Sequence, residues 1–261
     1  MKTPDNAAMQ TQNNLQRAFP EIGAGGFSRV DGTVSFYTRI NALARPDMTV
    51  LDLGAGRGGQ IHDADTPFLK NLLTLKGKVS SLHGADVDPV VEQNPFIDQA
   101  HIIVPDEPLP FANNQFDLIF ADWVLEHVAT PELFSREVDR ILKPNGWFCA
   151  RTPNRWGLTG MATRAVPSKY HARIVGKLQP GRIAEDVFPT CYKLNSHSDL
   201  DRHFPSEKFQ NYSFNHNAEP PYVQRSRMAM AAVFAFFRVA PSIMGTNLFV
   251  FLQKKPVEGG S

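Results

Sequence analysis

Cysteine is scarce in this sequence. Its 261 residues hold only two, Cys149 and Cys191. They form neither a C-x-x-C pair nor a metal-ligand spacing, which excludes a disulfide scaffold and a zinc fold. The pair reads as two reduced, partly buried thiols, with a single disulfide as the alternative. An excess of charge is missing too: 27 basic against 26 acidic residues leave a net +1. That balance does not draw the chain as a whole toward nucleic acid or an anionic membrane. Long apolar runs are also absent. The longest, "MAMAAVFAFF" from Met228 to Phe237, is stopped by Arg238, short of the roughly 20 residues that a membrane span needs. It reads as a buried or half-buried helix. A membrane-surface helix is the alternative, because Arg225, Arg227 and Arg238 flank it. The opening "MKTPDNAAMQTQNNLQ" has no apolar h-region and so is not a secretory signal. There are no repeats and no low-complexity tract.

What is present is a chain with 42% hydrophobic and 20% charged residues, ordinary for a globular enzyme and long enough to bury a full core. Residues 1–30 are rich in Asn, Gln and Gly and read as loosely ordered. "GTVSFYTRINALA" reads as a helix, and "MTVLDLG" as a buried strand closed by glycine. "TPFLKNLLTLKG" has helical spacing, with Gly77 as its stop. "VSSLHGADVD", "AHIIVPDEPLPF" and "FDLIFAD" each hold a strand. The last is nearly all apolar, as a strand buried on both faces should be. "TPELFSREVDRIL" predicts a helix capped by Thr130, with Pro131 in its first turn. "KPNG" closes it, and "WFCARTPN" is a fifth strand. "FQNYSFNH" and "TNLFVFLQKK" add a sixth and a seventh strand around the Met228 to Ala240 helix.

Strands alternating with helices imply an α/β fold with a parallel sheet, whose ligands sit beyond the carboxyl ends of the strands. The expected division is a loose segment 1–30, a cofactor-binding core 31–154, a cap insertion 155–209 after strand five, and closing elements 210–255. The cap stretch is rich in Arg, Lys, His and Tyr and does not read as another simple crossover.

The chemistry gathers at "VLDLGAGRGGQ", Val50 to Gln60. Glycines between a strand and a helix let a ligand approach the backbone and aim free N–H groups at it. The pattern satisfies G-x-G-x-x-G, a dinucleotide fingerprint. Asp52, two residues before Gly54, argues against that use, because a carboxylate there repels a pyrophosphate. It suits a cofactor with an amino group and a positive centre. Asp86, at the end of strand two in "GADVDP", can accept both hydroxyls of a ribose. Asp88 lies past the strand end and reads as a cap or a solvent-facing group.

Together, "VLDLGAGRGG", "GADVDP", "DEPLPFANNQFDLIFADWVLEHV" and "REVDRILKPNGWFCARTPN" resemble the class I S-adenosylmethionine-dependent methyltransferases of the type-11 group, in order from about Thr49 to Asn154. The resemblance implies a Rossmann-like, seven-stranded, mostly parallel sheet with helices on both faces. It also implies S-adenosyl-L-methionine as cofactor. Gly54, Ala55 and Gly56 would then pass close to the methionine part. Asp52 would orient the loop and the amino group, and Asp86 with Val87 would hold the ribose. Asp106 would take the adenine amino group, across a one-residue gap that otherwise puts Pro105 there. Asp122 and Trp123 would line the cofactor.

Methyl transfer is an in-line displacement in which the protein mostly holds two reactants together. A hydroxyl acceptor calls for a general base, for which histidine is suited. His127, on the first turn after strand four, is one candidate, although the Glu-His pair of such segments also serves to pack the helix. His171 in the cap is the other. Arg173, Arg182 and Tyr192 of the cap are expected to bind substrate, alongside Gln179 and Asp186. This mixture suits a sugar, a glycan intermediate or another hydroxylated metabolite. No tight carboxylate and histidine cluster calls for a metal. C- or N-methylation of a lipophilic, quinone-type acceptor is the alternative, and an NAD-dependent oxidoreductase a further one. The expected partner is a small-molecule acceptor in the cytoplasm, with no nucleic acid and no stable membrane insertion; a homodimer is compatible with these features.

Overall fold

A computed structural model of the chain describes residues 11, 14–157, 190–219 and 226–256. Helix α1 (Gly32–Leu43) starts where Asp31 caps it: Asp31 Oδ1 accepts from Thr33 N at 2.8 Å and from Val34 N at 2.9 Å. The cap satisfies N–H groups that a helix start leaves open. Phe36, Tyr37 and Ile40, three and four residues apart, form its buried face. They pack against Val50 of β1 (Thr49–Leu53) and against Leu118 and Phe120 of β4 (Phe116–Asp122).

The sheet has eight strands in the order β3-β2-β1-β4-β5-β8-β6, with β7 also paired to β8. β2 (Ser81–Asp86), β3 (Gln99–Ile102) and β5 (Leu142–Pro153) join β1 and β4 in parallel. β8 (Asn247–Lys254) runs antiparallel to β5, β6 (Phe209–Asn211) and β7 (Phe214–His216). The order reverses between β1 and β4, the switch point where such sheets open a crevice. Helices α2 (Gly59–His62), α3 (Pro67–Leu73), α4 (Pro131–Ile141), α5 (His197–His203) and α6 (Arg227–Val239) flank the sheet or its loops, with short 3-10 turns between elements.

Several expectations are refined. The single strand expected in "FQNYSFNH" is two pieces in one register, with Asn211 opposite Leu252 and Phe214 opposite Phe249. Side chains interrupt the ladder between them. Asn211 Oδ1 accepts from Ser213 N at 2.9 Å, and Ser213 Oγ accepts from Phe251 N at 3.1 Å. That interruption makes eight strands of the seven expected. α3 ends at Leu73 rather than at Gly77; the Thr74 hydroxyl donates back to Lys70 O at 2.7 Å. "KPNG" does not lie outside the sheet: β5 begins at Leu142, and a register shift between Phe116 and Leu118 of β4 accommodates it. Residues 14–30, expected to be loose, contribute the buried Asn14, Phe19 and Ser28.

The cap also reads differently. Residues 158–189 lie outside the described residues. Residues 190–209 do not stand apart: Leu194, Leu200, Phe204 and Phe209 share one core cluster with Ile119, Phe148 and Leu252. Their apolar side chains supply part of the layer that covers β4, β5 and β8. Among the described residues, no helix is long and apolar enough to cross a membrane.

Candidate active site

The loop after β1 is bent by three glycines in the left-handed region: Gly54, Gly56 and Gly58, with φ of 87°, 45° and 74°. A Cβ on Gly54 would lie 2.3 Å from Val124 Cγ2, and one on Gly58 would lie 2.6 Å from Phe96. Gly59 needs neither freedom nor space; it begins α2 with ordinary φ, and a Cβ there would meet nothing nearer than 3.9 Å. The third glycine of the G-x-G-x-x-G pattern is therefore incidental, and Gly58 is the one the bend needs.

The loop is tied to β2 and to the segment behind it. Gly54 N and Ala55 N both donate to Ala85 O, at 2.7 and 3.2 Å. Asp86 Oδ2 accepts from Gly56 N at 2.8 Å, and its Oδ1 accepts from Asp88 N at 2.9 Å. Each oxygen keeps a further lone pair for a hydroxyl. Asp88 caps the following 3-10 turn, accepting from Val90 N at 2.9 Å. Asn94, which is buried, donates from Nδ2 to Ala55 O and Gly56 O, both at 3.1 Å. Sequence reasoning missed Asn94 and Gly58. Val87 follows Asp86 and is half-buried.

Three carboxylates lie around the mouth of β1. Asp52 lies beside Gly84 and Phe120 in the sheet register. Burial, then the charges of Asp122 and Asp86, pushes its carboxyl well above the usual carboxylate range. Asp122 is not free in the way expected of a residue lining a cofactor. It faces Arg151 in register across β4 and β5, and the guanidinium grips both of its oxygens at 2.7 Å. Gln60 Nε2 reaches Asp122 Oδ2 at 3.2 Å. Burial, helped by the charges of Asp122 and Asp52, pushes the Tyr37 phenol well up. Arg151 also donates to Thr33 Oγ1 at 2.8 Å and lies 4.9 Å over the Trp123 ring. Trp123 has φ of 61°, and its N–H donates to Arg151 O at 2.8 Å. Arg151 was not among the expected site residues; its signal was a charged residue inside the apolar run "WFCARTPN".

His127 ends a 3-10 turn, Leu125–His127, directly after β4 and is half-buried. The segment returning from the cap clamps this turn. Cys191 N and Tyr192 N donate to Glu126 O at 2.6 and 3.2 Å, and Lys193 Nζ donates to Ala129 O at 2.7 Å. Below it, Asn195 Nδ2 donates to Thr152 Oγ1 at 2.6 Å, and Thr152 donates to the buried Glu126 Oε2 at 2.9 Å. Glu126 is thus the packing member of the Glu-His pair. Tyr192 has φ of 53° beside this turn. His171, Arg173, Gln179, Arg182 and Asp186 lie outside the described residues.

Asp106 is exposed, with φ of 59°, and accepts from Thr130 Oγ1 at 2.5 Å. Thr130 makes no side-chain cap on α4, contrary to expectation; its hydroxyl is turned toward Asp106, to which it donates. Cys149 is buried, Cys191 is exposed, and both are free.

The donor set fits S-adenosylmethionine. Gly56 leaves open the space beside Asp86, where a Cβ would lie 3.8 Å from Oδ2, Asp86 has acceptor capacity for a ribose, and Asp52 can answer an ammonium group. Asp52 opposes the pyrophosphate of NAD, whereas an acid at the position of Asp86 serves the ribose of either cofactor.

Residues 51–150 match the model of a family described as a methyltransferase domain. No curated protein matches the sequence. Among solved structures, the chain is similar to one from the complex between the Haloferax volcanii Trm112 methyltransferase activator and a methyltransferase, at 15% identity and a TM-score of 0.55, covering 97% of each chain. It is also similar to the geranyl diphosphate C-methyltransferase of Streptomyces coelicolor A3(2), solved with Mg2+, geranyl-S-thiolodiphosphate and S-adenosyl-L-homocysteine. That match has 15% identity and a TM-score of 0.51, over 86% of this chain and 75% of that one. A third similar structure is the [4+2]-cyclase SpnF, at 14% identity and a TM-score of 0.51, over 98% of both chains. At such identities these likenesses establish the fold; the activity rests on the matched domain.

Proposed function

We propose that this chain, whose residues 51–150 match a methyltransferase domain, uses S-adenosylmethionine to methylate a hydroxyl group of a small molecule, a sugar or glycan intermediate being the preferred acceptor. The observation that carries this reading is His127, half-buried on the turn after β4 and held there by the Cys191–Tyr192 clamp on Glu126 O. Histidine as a residue type suits general-base work near neutral pH, which supports His127 in that role.

When bound, S-adenosylmethionine supplies an electrophilic methyl on a sulfonium that leaves as a thioether. The chain's own residues do the rest. Asp86 holds the ribose and keeps the Gly56 N–H in place. Asp52, ionised, pairs with the ammonium. Gly54, Ala55 and Gly56 admit the methionine part, and Asp106 and Val87 border the nucleoside. Arg151 holds Asp122 and Trp123 against the same space. His127 accepts the acceptor's hydroxyl proton at a ring nitrogen as the oxygen–methyl bond forms. Tyr192, with Arg173 and Arg182, orients the acceptor, and His171 is the alternative base.

The test is release of S-adenosylhomocysteine over a panel of hydroxylated, amine, thiol and carbon acceptors. Turnover restricted to hydroxyl acceptors, lost in His127→Ala while cofactor binding persists, supports the reading. Turnover of carbon or amine acceptors alone would overturn it. Loss in His171→Ala but not in His127→Ala would move the base to the cap. A lipophilic acceptor methylated at carbon or nitrogen is the second reading, favoured by the apolar α6 with its exposed Met228 and Val239.

A further inference from the structure

Helix α6 (Arg227–Val239) is apolar on both sides, and only one side is used. Ser226 caps it, accepting from Ala229 N at 3.3 Å. Met230 is buried, and Phe234 meets Phe19 edge-on at a centroid distance of 5.3 Å. Ala229, Val233, Phe236 and Phe237 are half-buried on the same side. The helical repeat places Met228, Ala231, Ala232, Ala235 and Val239 on the opposite side, and all five are exposed. Met228 is 85% and Val239 83% exposed, and Ile243 just beyond the helix is 54% exposed.

The charges along this face have one sign. Arg227 and Arg238 are both exposed and, eleven residues apart, lie within about 20° of each other around the helix. No aspartate or glutamate occurs between Glu219 and Glu258, while Arg225 adds a further cation just before the helix. An exposed apolar face on a globular chain marks a contact surface. An arginine flank without a single acid selects an anionic partner. A second copy of this face would bring arginine toward arginine with nothing on the helix to answer it. An interfacial helix has this composition: apolar side chains enter the acyl boundary while arginines extend to the headgroups.

We infer that α6 is a peripheral membrane contact, which docks its Met228–Ala232–Ala235–Val239 face on an anionic lipid surface with Arg227 and Arg238 at the phosphate level. The inference is independent of the acceptor's identity and of the methyl-transfer reading.

The test is co-sedimentation of the full chain with phosphatidylcholine vesicles, with and without phosphatidylglycerol. The wild-type chain is expected to pellet only with the anionic vesicles and to be released by high salt. Arg227→Gln with Arg238→Gln is expected to weaken partition by about 25-fold, at about fivefold per arginine. Met228→Asp with Val239→Asp is expected to abolish it. All four positions are exposed, and unchanged thermal unfolding of the variants would confirm that they fold. No pelleting with anionic vesicles, or equal pelleting of wild type and both double variants, would overturn the inference. Concentration-dependent self-association that Met228→Asp with Val239→Asp removes, without vesicle binding, would assign the face to a second copy and overturn it as well.

Discussion

Arg151 and Asp122 stand side by side on β5 and β4 and form a two-pronged ion pair, with Nε 2.7 Å from Oδ1 and Nη2 2.7 Å from Oδ2. Their side chains are only 3% and 6% exposed. Two charges so far from water depend on each other: removing one leaves the other buried and unanswered, which costs about 3–5 kcal/mol. Arg151→Met alone and Asp122→Leu alone are each expected to lower unfolding free energy by that amount in urea titrations. The double variant is expected to lose less than the sum. Single-variant losses under about 1 kcal/mol would show that the pair is not structural.

The glycines of the β1 loop should separate cleanly. Gly54→Ala and Gly58→Ala force side chains into left-handed backbone at φ of 87° and 74°, against Val124 and Phe96. The backbone alone costs about 1–2 kcal/mol, and both variants are expected to lose cofactor binding. Gly59→Ala lies at a helix start with open space and should change stability by less than about 1 kcal/mol. Isothermal titration with S-adenosylmethionine, beside thermal unfolding, measures both effects. Equal losses at Gly58 and Gly59 would contradict the assignment.

Asp52 carries a pH signature. Burial and its acidic neighbours raise its pKa in the folded chain. The protonated form is therefore favoured by folding. Its stabilising contribution is full below the ordinary carboxylate value, about 3.9, and is lost as pH rises through the folded value. Asp52→Asn should remove that loss, so the ligand-free variant should be more stable than wild type at neutral pH. A bound ammonium group favours the ionised form, so wild-type affinity for S-adenosylmethionine should increase with pH across the same window. The variant's affinity should be weaker and flat. A pH-dependent affinity retained in Asp52→Asn would contradict this.

His83 and His101 carry the opposite signature. They stack at 5.2 Å with Nδ1 of one 3.0 Å from Nε2 of the other, beside Phe111 and Phe116. Burial lowers both pKa values, and for His83 the charge of His101 adds to it. The neutral rings are favoured by folding. Their contribution is present above the ordinary histidine value of about 6.5 and is lost as pH falls through the lowered values. Unfolding titrations across mildly acidic pH should show a decline that His101→Gln reduces; an identical slope in the variant would contradict the role.

The parallel core was legible because its signals are local. Apolar runs such as "FDLIFAD", the glycine after "VLDL" and Pro131 in the first turn of α4 each act within a few residues. The elements that needed distant partners were not. Arg151 finds Asp122 only through the β4–β5 register. Asn94 reaches back to the carbonyls of Ala55 and Gly56, a contact that no spacing rule signals. Thr130 looked like a cap, but its hydroxyl turns to Asp106, in left-handed backbone. "FQNYSFNH" read as one strand because its pattern alternates throughout, while the Asn211 and Ser213 side chains that interrupt it act on the backbone. Asp86 ends β2, where the pattern put an acid; its bond to Gly56 N adds a structural duty.

We propose that the β1 loop, Asp52 and Asp86 together hold S-adenosylmethionine. The decisive measurement is thermal unfolding of wild type and Asp86→Ala with S-adenosylmethionine, S-adenosylhomocysteine or NAD. Stabilisation of the wild type by the first two is expected, with none by NAD and none by any of them in Asp86→Ala. Stabilisation by NAD alone, or an unchanged shift in Asp86→Ala, would contradict it.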